Sequence, residues 1–211
     1  MSTAFVFATF VEAWPLLEAW QATPLRDVPY ELFHVPTTDA LVAVCGMGLD
    51  AADAALDHLL EAVRPAEVVN CGIAGALHDG LAIGDLRRIA GVAEATDTAV
   101  GVDEFHALAI DEVPWLPSDL GTARLVSRRA PLFEAAVRGR LAATADLVDM
   151  EGERIARRCA AQGTPCALLK SVSDHADDRA TLLRNLDASS RRLAEFLARH
   201  FRASQPNGAF P

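Results

Sequence analysis

Short apolar runs alternate with segments of helical periodicity along most of this chain. The runs have the length of buried strands, and in the segments between them apolar residues recur three or four positions apart, as on one face of a helix. Strands are predicted at residues 5–8, 31–35, 41–44, 68–71, 124–126, 147–148 and 167–172, and helices at 11–20, from 50 onward, at 131–137, from 151 to about 162, and at 178–199. Strands that alternate with helices in this way predict an α/β protein.

Two carboxylates, Glu151 and Asp174, stand where apolar runs give way to polar residues. Glu151 falls in the first turn of a predicted helix, and Asp174 follows the run 167–172, which is apolar except for Lys170. Strand, helix and strand in this order normally form a parallel unit, so both carboxylates are predicted at one edge of a sheet, where ligands bind in open α/β folds. The same positions also suit a residue that complements a helix dipole and an N-cap, so spacing alone leaves both interpretations open.

A third carboxylate, Glu12, lies at another strand-to-helix junction, among apolar residues. A glutamate in such a setting could accept a proton near neutral pH, although surface glutamates also begin many helices. Further along, Gly46 and Gly48 separate a strand from a helix, which lets the main chain approach a ligand and leaves helix amides available. This spacing is weak evidence of phosphate binding. The segment 72–75, Gly-Ile-Ala-Gly, ends the next strand and could let a planar base or a sugar lie against the main chain, unless it is only a tight turn.

Charge and hydropathy restrict the class of partner. The formal net charge is −10, whereas nucleic-acid binding depends on clustered Lys and Arg, so the sequence favours a small ligand over nucleic acid. No apolar run approaches the roughly 20 residues of a membrane helix, and the N-terminal run contains Glu12 and lacks the basic region of a signal peptide. Since no linker interrupts the 211 residues, one domain is predicted over residues 1–202, followed by a loose tail at 203–211.

The four cysteines indicate neither a metal site nor a disulfide framework. They lie in apolar strand or helix patterns without metal-ligand spacing, at Cys45, Cys71, Cys159 and Cys166. We therefore expect buried free thiols in a cytoplasmic protein that uses no metal and no cofactor.

Two ordered motifs carry a family resemblance. Asp149-Met150-Glu151-Gly152, followed by Ile155-Ala156 and then by Ser173-Asp174-His175-Ala176-Asp177, resembles the nucleoside phosphorylase and nucleosidase superfamily, especially its methylthioadenosine/S-adenosylhomocysteine nucleosidases. Residues 69–77 and 81–86 match a second signature of that family. The resemblance covers the chain from Phe5 to about Leu197. It implies a single three-layer αβα domain with a twisted mixed central sheet, and a homodimer.

The resemblance also implies roles for the carboxylates in cleaving the bond between a purine and its sugar. Asp174 would share or donate a proton at the purine N7, and Glu12 would activate the attacking water. Glu151 would accept hydrogen bonds from the ribose hydroxyls, and Met150 would pack on the sugar. The remaining predicted substrate contacts are Ile73, Ala74, Gly75, Ser173, Gly46 and Gly48.

The attacking group is the first open question. In the phosphorylase relatives, arginines before the glycine-rich signature and in the first loop hold phosphate, and the matching positions here are Asn70 and residues 10–12. Without an arginine fork a phosphate dianion loses its strongest contacts, so hydrolysis is favoured over phosphorolysis. Arg128 and Arg129 have no predicted role and leave the phosphorylase alternative open.

The base and the 5′ substituent are the second open question. Ser127-Arg128-Arg129-Ala130-Pro131-Leu132 stands where methylthioadenosine nucleosidases have Ser-Gly-Asp and an aromatic residue that stacks on adenine. Residues 12–17 instead share the Glu-Ala-x-Pro-Leu-Leu pattern of the futalosine hydrolases, which act on a hypoxanthine nucleoside. A nucleoside-binding module without catalysis is a third possibility, which the joint presence of three carboxylates disfavours.

Overall fold

The computed structural model describes residues 2–38, 40–95, 102, 104–108, 113 and 115–204, with no side-chain description for 202–204. These residues form ten strands: β1 (Thr3–Phe7), β2 (Thr23–Pro24), β3 (Glu31–Val35), β4 (Ala40–Val44), β5 (Glu67–Ala76), β6 (Leu86–Glu94), β7 (His106–Ala107), β8 (Thr122–Ser127), β9 (Leu147–Asp149) and β10 (Cys166–Asp174). The α-helices among them are α1 (Phe10–Ala19), α2 (Leu49–His58), α3 (Ala135–Leu141), α4 (Gly152–Ala161) and α5 (Arg179–Ser204), and a π-helical turn, Leu59–Val63, extends α2.

One mixed sheet runs through the molecule in the order β10-β6-β8-β9-β5-β1-β4-β3-β2, with β7 beside β6. The strands β1, β4, β5 and β10 are parallel, whereas β3 and β4 form an antiparallel hairpin. Because β10 pairs with β5 as well as with β6, the strands β5, β9, β8, β6 and β10 close into a ring. The predicted α/β fold with a mixed central sheet is confirmed.

Helices cover both faces of the sheet, as the alternation of side chains along β1 illustrates. Phe5 packs with α1 and α5 on one face, where the rings of Trp20 and Phe201 each lie 5.0 Å from its own ring. Ala4 and Val6 point to the opposite face, which α2 and α4 cover. Both clusters are buried, so each face of the sheet carries its own hydrophobic core and the architecture has three layers.

The strand β5 organises the space in which a ligand can bind. Its first half pairs with β1 up to Val6 opposite Asn70, whereas its end pairs with β9, which runs in the opposite direction. Gly75 has Val148 of β9 on one side and Asp174 of β10 on the other. β10 pairs along one edge of β5. The other edge is shared by β1 and β9, and the carboxyl ends of these two strands face each other along it.

This arrangement corrects the predicted parallel unit of β9, α4 and β10. β9 is antiparallel to β5 while β10 is parallel to it, so β9 and β10 run in opposite directions. The prediction was wrong because β9 is only three residues long and pairs with β5 beyond the end of β1, where it runs in the direction opposite to β1 and β5. The polar ends of β9 and β10 nevertheless meet, since both lie against the last residues of β5.

Four local predictions also need correction. β5 continues through the Gly-Ile-Ala-Gly segment 72–75, which was expected to end the strand. The helix expected at 131–137 begins only at Ala135. β6 was missed because Arg87 and Arg88 interrupt its apolar pattern. The last helix extends to Ser204, so the expected tail from 203 onward begins as helix, and residues 205–211 lie outside the described residues.

All four cysteines are buried free thiols, as predicted. Within the part of the chain that the structure describes, no helix combines the length and the apolar character needed to cross a membrane.

Candidate active site

A cavity of about 470 Å³ opens where the ends of β1, β9 and β10 converge. Such a volume falls within the range of small-molecule sites, roughly 300–1,000 Å³. Of the predicted site residues, those that line it are Glu12, Ile73, Ala74, Gly75, Met150, Glu151, Ser173 and Asp174. Glu12, Glu151 and Asp174 are at most 6% exposed. Three carboxylates far apart in sequence thus line one cavity.

Local sequence fixes Glu12. Thr9 caps α1, and Glu12 occupies the third helical position, so the two form a capping box in which each side chain bonds the other's main chain. Glu12 Oε2 accepts hydrogen bonds from Thr9 N at 3.0 Å and Thr9 Oγ1 at 2.7 Å. Its Oε1 accepts one from Ile73 N at 3.0 Å, and a Cβ on Gly72 would meet that oxygen at 3.0 Å. The absent side chain at Gly72 therefore lets the carboxylate lie against β5.

Glu151 is the N-cap residue of α4 and is held by the glycine loop. The amide of Gly48, a residue with a φ of +92°, donates to Glu151 Oε1 at 2.6 Å. Within the described residues, Oε2 has no hydrogen-bond partner. Gly46 and Gly48 do not line the cavity themselves; between them Met47 does, so the loop acts here through one amide and one side chain.

Burial raises the pKa of Glu151 to about 7, and the nearby charge of Asp149 adds to the shift. The Gly48 amide and Lys170 act in the opposite direction but do not cancel it. Near neutral pH this carboxyl group therefore exists in both protonation states.

Glu151→Gln should change the pH dependence of stability. Because the pKa of Glu151 is raised in the folded state, its favourable contribution is complete below pH 4.5 and is lost as pH rises through 7. The Gln variant should match the parent protein at pH 4.5 and exceed its unfolding free energy by up to about 3 kcal/mol at pH 8.5. Urea unfolding of both proteins at pH 4.5 and at pH 8.5 measures this difference in unfolding free energy. Glu18→Gln, at an exposed glutamate, is the control, and the same difference at both pH values would contradict the expectation.

The last residue of β10, Asp174, is fixed by its own turn. Ser173 Oγ donates to Asp174 Oδ2 at 2.6 Å, and Ala176 N donates to Oδ1 at 2.7 Å. Ala176 has a φ of +52°, a left-handed conformation that is uncommon for alanine and that brings its amide back toward the carboxylate. A Cβ on Gly75 would come within 3.1 Å of Asp174 Oδ1, so the glycine is needed for this close approach.

A buried ion pair behind the carboxylates was not predicted. Lys170 Nζ lies 2.8 Å from Asp149 Oδ2, and both side chains are at most 3% exposed. Asp149 also accepts hydrogen bonds from Ser127 Oγ and Gly152 N, which helps to hold the start of α4. Burial by itself disfavours the charged form of Lys170, yet Asp149, Glu151 and Glu12 together raise its pKa, so it stays an ammonium group. The signal in the sequence was the single lysine of the chain inside an apolar strand.

Lys170→Met should destabilise the protein strongly. The substitution leaves the Asp149 carboxylate buried without its counter-charge, and breaking a buried pair from one side costs about 3–5 kcal/mol. We expect the double variant Asp149→Asn/Lys170→Met to recover a large part of the loss, because the buried carboxylate that pairs directly with Lys170 is then absent. Urea unfolding at pH 7 of the parent, both single variants and the double variant measures the coupling. Additive effects of the two substitutions would contradict it.

Much of the remaining cavity wall is apolar. Pro131, Leu132 and Phe133 line it and belong to no helix, although a helix was expected there, and Phe133 is the one aromatic residue among the described residues of the wall. The helix α5 adds three leucines and Arg179. Leu182, Leu183 and Leu186 belong to the helix predicted at 178–199 and were not among the predicted site residues, so the sequence did not indicate this second wall.

Arg128 and Arg129, the pair without a predicted role, do not line the cavity among the described residues. Arg129 Nη1 lies 3.4 Å from Asp50 Oδ1 at the surface, and the main-chain amide of Arg128 donates to Asp149 O. Neither contact places a guanidinium beside the three carboxylates.

The fold and the site together define a three-layer α/β protein with a carboxylate-lined cavity at converging strand ends. The family model described as Phosphorylase superfamily matches residues 6–204, and the chain belongs to that superfamily.

Similar proteins include both nucleosidase types that the sequence resembles. The chain is 26% identical, over 77% of its own length and 80% of the relative, to a 5′-methylthioadenosine/S-adenosylhomocysteine nucleosidase of Shewanella halifaxensis. Its fold matches a futalosine hydrolase mutant of Helicobacter pylori with a TM-score of 0.85, at 19% identity and over 96% and 99% of the two chains. The 5′-methylthioadenosine/S-adenosylhomocysteine nucleosidase of H. pylori gives 0.85 at 20% identity, over 96% and 98%.

Proposed function

We propose that this chain is a purine nucleosidase that hydrolyses the N-glycosidic bond of a 5′-modified purine nucleoside and releases the free base. Methylthioadenosine, S-adenosylhomocysteine and futalosine are the candidate substrates. The observation that carries the proposal is that Glu12, Glu151 and Asp174 line one cavity. The relatives named as nucleosidases and futalosine hydrolase support it.

Asp174 shares a proton with the departing base. As the glycosidic bond breaks, negative charge develops on the purine, and a proton shared at N7 lowers the barrier. Ser173 Oγ and the Ala176 amide hold the two carboxylate oxygens, so the side chain is oriented before the substrate arrives. Such preorganisation avoids reorientation of the catalytic group during the reaction.

Glu12 and Glu151 serve the sugar, which becomes cation-like in the transition state. Glu12 accepts a proton from the water that attacks C1′, and Glu151 accepts hydrogen bonds from the ribose hydroxyls through the oxygen that Gly48 leaves available. Met150 packs on the sugar, while Ile73, Ala74 and Gly75 of β5 provide a narrow main-chain surface for the nucleoside. Because Glu151 titrates near pH 7, sugar binding should strengthen as pH rises through that value.

Water is favoured over phosphate as the nucleophile because three carboxylates line the cavity. A phosphate dianion there would face three carboxylates, and the nearest cation, Lys170, is already paired with Asp149. Arg179 is the one basic residue among the described residues of the wall, and it is exposed to solvent.

The protein is further proposed to be a homodimer in the cytoplasm. Phe10, Val11 and Trp14 are between 40% and 53% exposed on α1, and the rings of Phe10 and Trp14 lie 5.6 Å apart, so they form an apolar cluster beside Glu12. Exposed apolar clusters of this kind suit contact with a second copy. Four free thiols fit a reducing compartment. Sedimentation of the parent protein and of Trp14→Glu would test the dimer, and a monomeric parent would contradict it.

Base release from a substrate panel tests the function. The purified protein is incubated with methylthioadenosine, S-adenosylhomocysteine, adenosine, inosine and futalosine, with and without phosphate, and the products are identified by mass. Free base and unphosphorylated sugar, formed without phosphate, are the expected products. A sugar 1-phosphate formed only with phosphate would identify a phosphorylase, and unchanged nucleosides throughout would contradict catalysis on this class.

A further inference from the structure

We propose that the ion pair between Arg154 and Asp53 positions Glu151 for the sugar, because it holds the start of α2 against the start of α4. Both residues belong to the described part of the chain and neither lines the cavity, so they are positioning residues and not catalytic ones. The inference rests on the proposed function in one respect, which is that Glu151 binds the ribose hydroxyls.

The pair connects three elements of the fold. Arg154 is the third helical residue of α4, and its Nη1 lies 2.5 Å from Oδ2 of Asp53 on α2. Its Nη2 lies 3.2 Å from Oε2 of Glu94 on β6. Asp53 Oδ1 in turn lies 2.8 Å from Nε of Arg158, one turn further along α4. The side chains of Arg154, Asp53 and Glu94 are 20% to 24% exposed, so these contacts are screened less than those of fully exposed pairs.

The start of α2 is not fixed by its own sequence. Its N-cap residue is Gly48, which has a φ of +92° and no side chain to cap the helix. The start of α4 is instead tied to the sheet: Glu153 N donates to Ser127 Oγ at 2.8 Å. Gly152 N donates to Asp149 Oδ2 at 3.0 Å. Of these two helices, α4 is therefore anchored on β8 and β9, and α2 depends on contacts with α4.

The ion pair and the hydrogen bond on Glu151 join the same two helix starts. Gly48 N donates to Glu151 Oε1 at 2.6 Å. Asp53 lies about 7 Å along α2 from Gly48, and Arg154 lies about 5 Å along α4 from Glu151. The two helices also share a hydrophobic core, but apolar contacts are non-directional and tolerate a small displacement of one helix along the other. A directed ion pair restricts that displacement, and with it the position of the Gly48 amide.

The groups around Glu151 act on its protonation in two directions. Burial raises its pKa to about 7, and the negative charges of Asp149 and Glu12 contribute to the rise. The Gly48 amide and the Lys170 ammonium group oppose it, because each stabilises the ionised carboxylate. Of these two groups, Lys170 is held by Asp149 within the sheet, whereas the Gly48 amide moves with α2.

Loss of the ion pair should therefore raise the pKa of Glu151 further. Weaker donation from Gly48 leaves burial and the neighbouring carboxylates less opposed, so the carboxyl group keeps its proton to higher pH. Cys45 of β4, another titratable neighbour, stays neutral in this range, because burial raises the pKa of its thiol to about 12. A protonated carboxyl group offers fewer acceptor sites to the ribose hydroxyls, so sugar binding then requires a higher pH.

Asp53→Asn and Asp57→Asn are a matched pair of variants that test the inference. Both remove the partner of an α4 arginine, since Asp57 lies 2.6 Å from Arg158, but Asp57 is near the opposite end of α2 from Gly48. Asp53→Asn should raise the pKa of Glu151 by about one pH unit, and Asp57→Asn should leave it unchanged. NMR titration of the carboxyl carbons in ¹³C-labelled protein measures this pKa without substrate, and Glu151→Gln identifies the signal by its loss.

The kinetic signature is a change of KM that depends on pH. Because the ionised form binds the sugar, a pKa that rises from about 7 by one unit should raise KM about fivefold at pH 7 and leave it almost unchanged at pH 9. The value of kcat should stay within about twofold of the parent protein. Arg154→Met should reproduce this pattern. Arg154→Lys should restore part of the parent behaviour, because it keeps a positive charge opposite Asp53.

Three results would overturn the proposal: an unchanged pKa of Glu151 in Asp53→Asn and Arg154→Met, an equal shift in Asp57→Asn, or a KM rise of the same size at pH 7 and pH 9. The two Arg154 variants decide the matter when Asp53→Asn does not fold. Absence of hydrolysis in the parent protein would count against the proposed function and not against this contact. The NMR titration then tests the ion pair alone, and an unchanged pKa would still overturn it.

Discussion

Asp174→Asn is expected to lower kcat for base release by about 10²- to 10⁴-fold, the usual contribution of a general acid. The amide cannot supply or share a proton at the base, so the leaving purine must depart with its full negative charge. Structure should be retained, because the amide oxygen can still accept from Ala176 N and the side chain keeps its size. Initial rates with the best panel substrate, followed by release of the base, measure the effect.

The matched control for this variant is Asp177→Asn, the same substitution at an exposed aspartate three residues along the chain. It should keep at least half of the parent rate. Thermal melts of both variants should lie within a few degrees of the parent protein. An Asp174→Asn enzyme that retains more than about a tenth of kcat would remove Asp174 from the role of proton donor.

Glu12→Ala is expected to lower kcat by about 10²- to 10⁴-fold as well, but through the other half of the reaction. Without this carboxylate no group at the end of β1 accepts the proton of the attacking water. The substitution also removes the capping box of α1, which should cost about 1 kcal/mol of stability, so the rates must be measured well below the melting temperature.

A nucleophile that needs no general base distinguishes the role of Glu12 from that of Asp174. Azide is already an anion, so it should restore part of the activity of Glu12→Ala and yield a sugar azide, whereas Asp174→Asn should not respond. Glu18→Gln, at an exposed glutamate of the same helix, should behave as the parent protein. Rescue of both active-site variants, or of neither, would show that Glu12 and Asp174 do not divide the reaction between water and base.

Local sequence was sufficient for much of the fold and for part of the site. The alternation of β1, the hairpin of β3 and β4, and the helices α1 and α4 all follow from apolar periodicity and nearby capping residues. The position of Glu12 also follows from local sequence, because Thr9 and Glu12 of the capping box are only three residues apart. Glu151 was predicted in the first turn of a helix and Asp174 directly after an apolar strand; in the structure Glu151 is the N-cap residue of α4 and Asp174 is the last residue of β10.

The segment before α3 shows where such patterns mislead. Residues 131–133 were expected to begin a helix, yet they lie outside any helix and form part of the cavity wall. The first turn of a helix is weakly favoured by its own residues, so contacts with the rest of the protein decide whether it forms.

Most strands and helices, the superfamily motifs and the choice of Glu12, Glu151 and Asp174 as candidate site residues were therefore predictable, because each depends on residues close together in the chain. The direction of β9, the pairing of Lys170 with Asp149 and the presence of Arg179 in the cavity wall emerged only from the folded structure. The direction of a three-residue strand and the partner of a buried charge depend on contacts between distant segments, and no local periodicity encodes them.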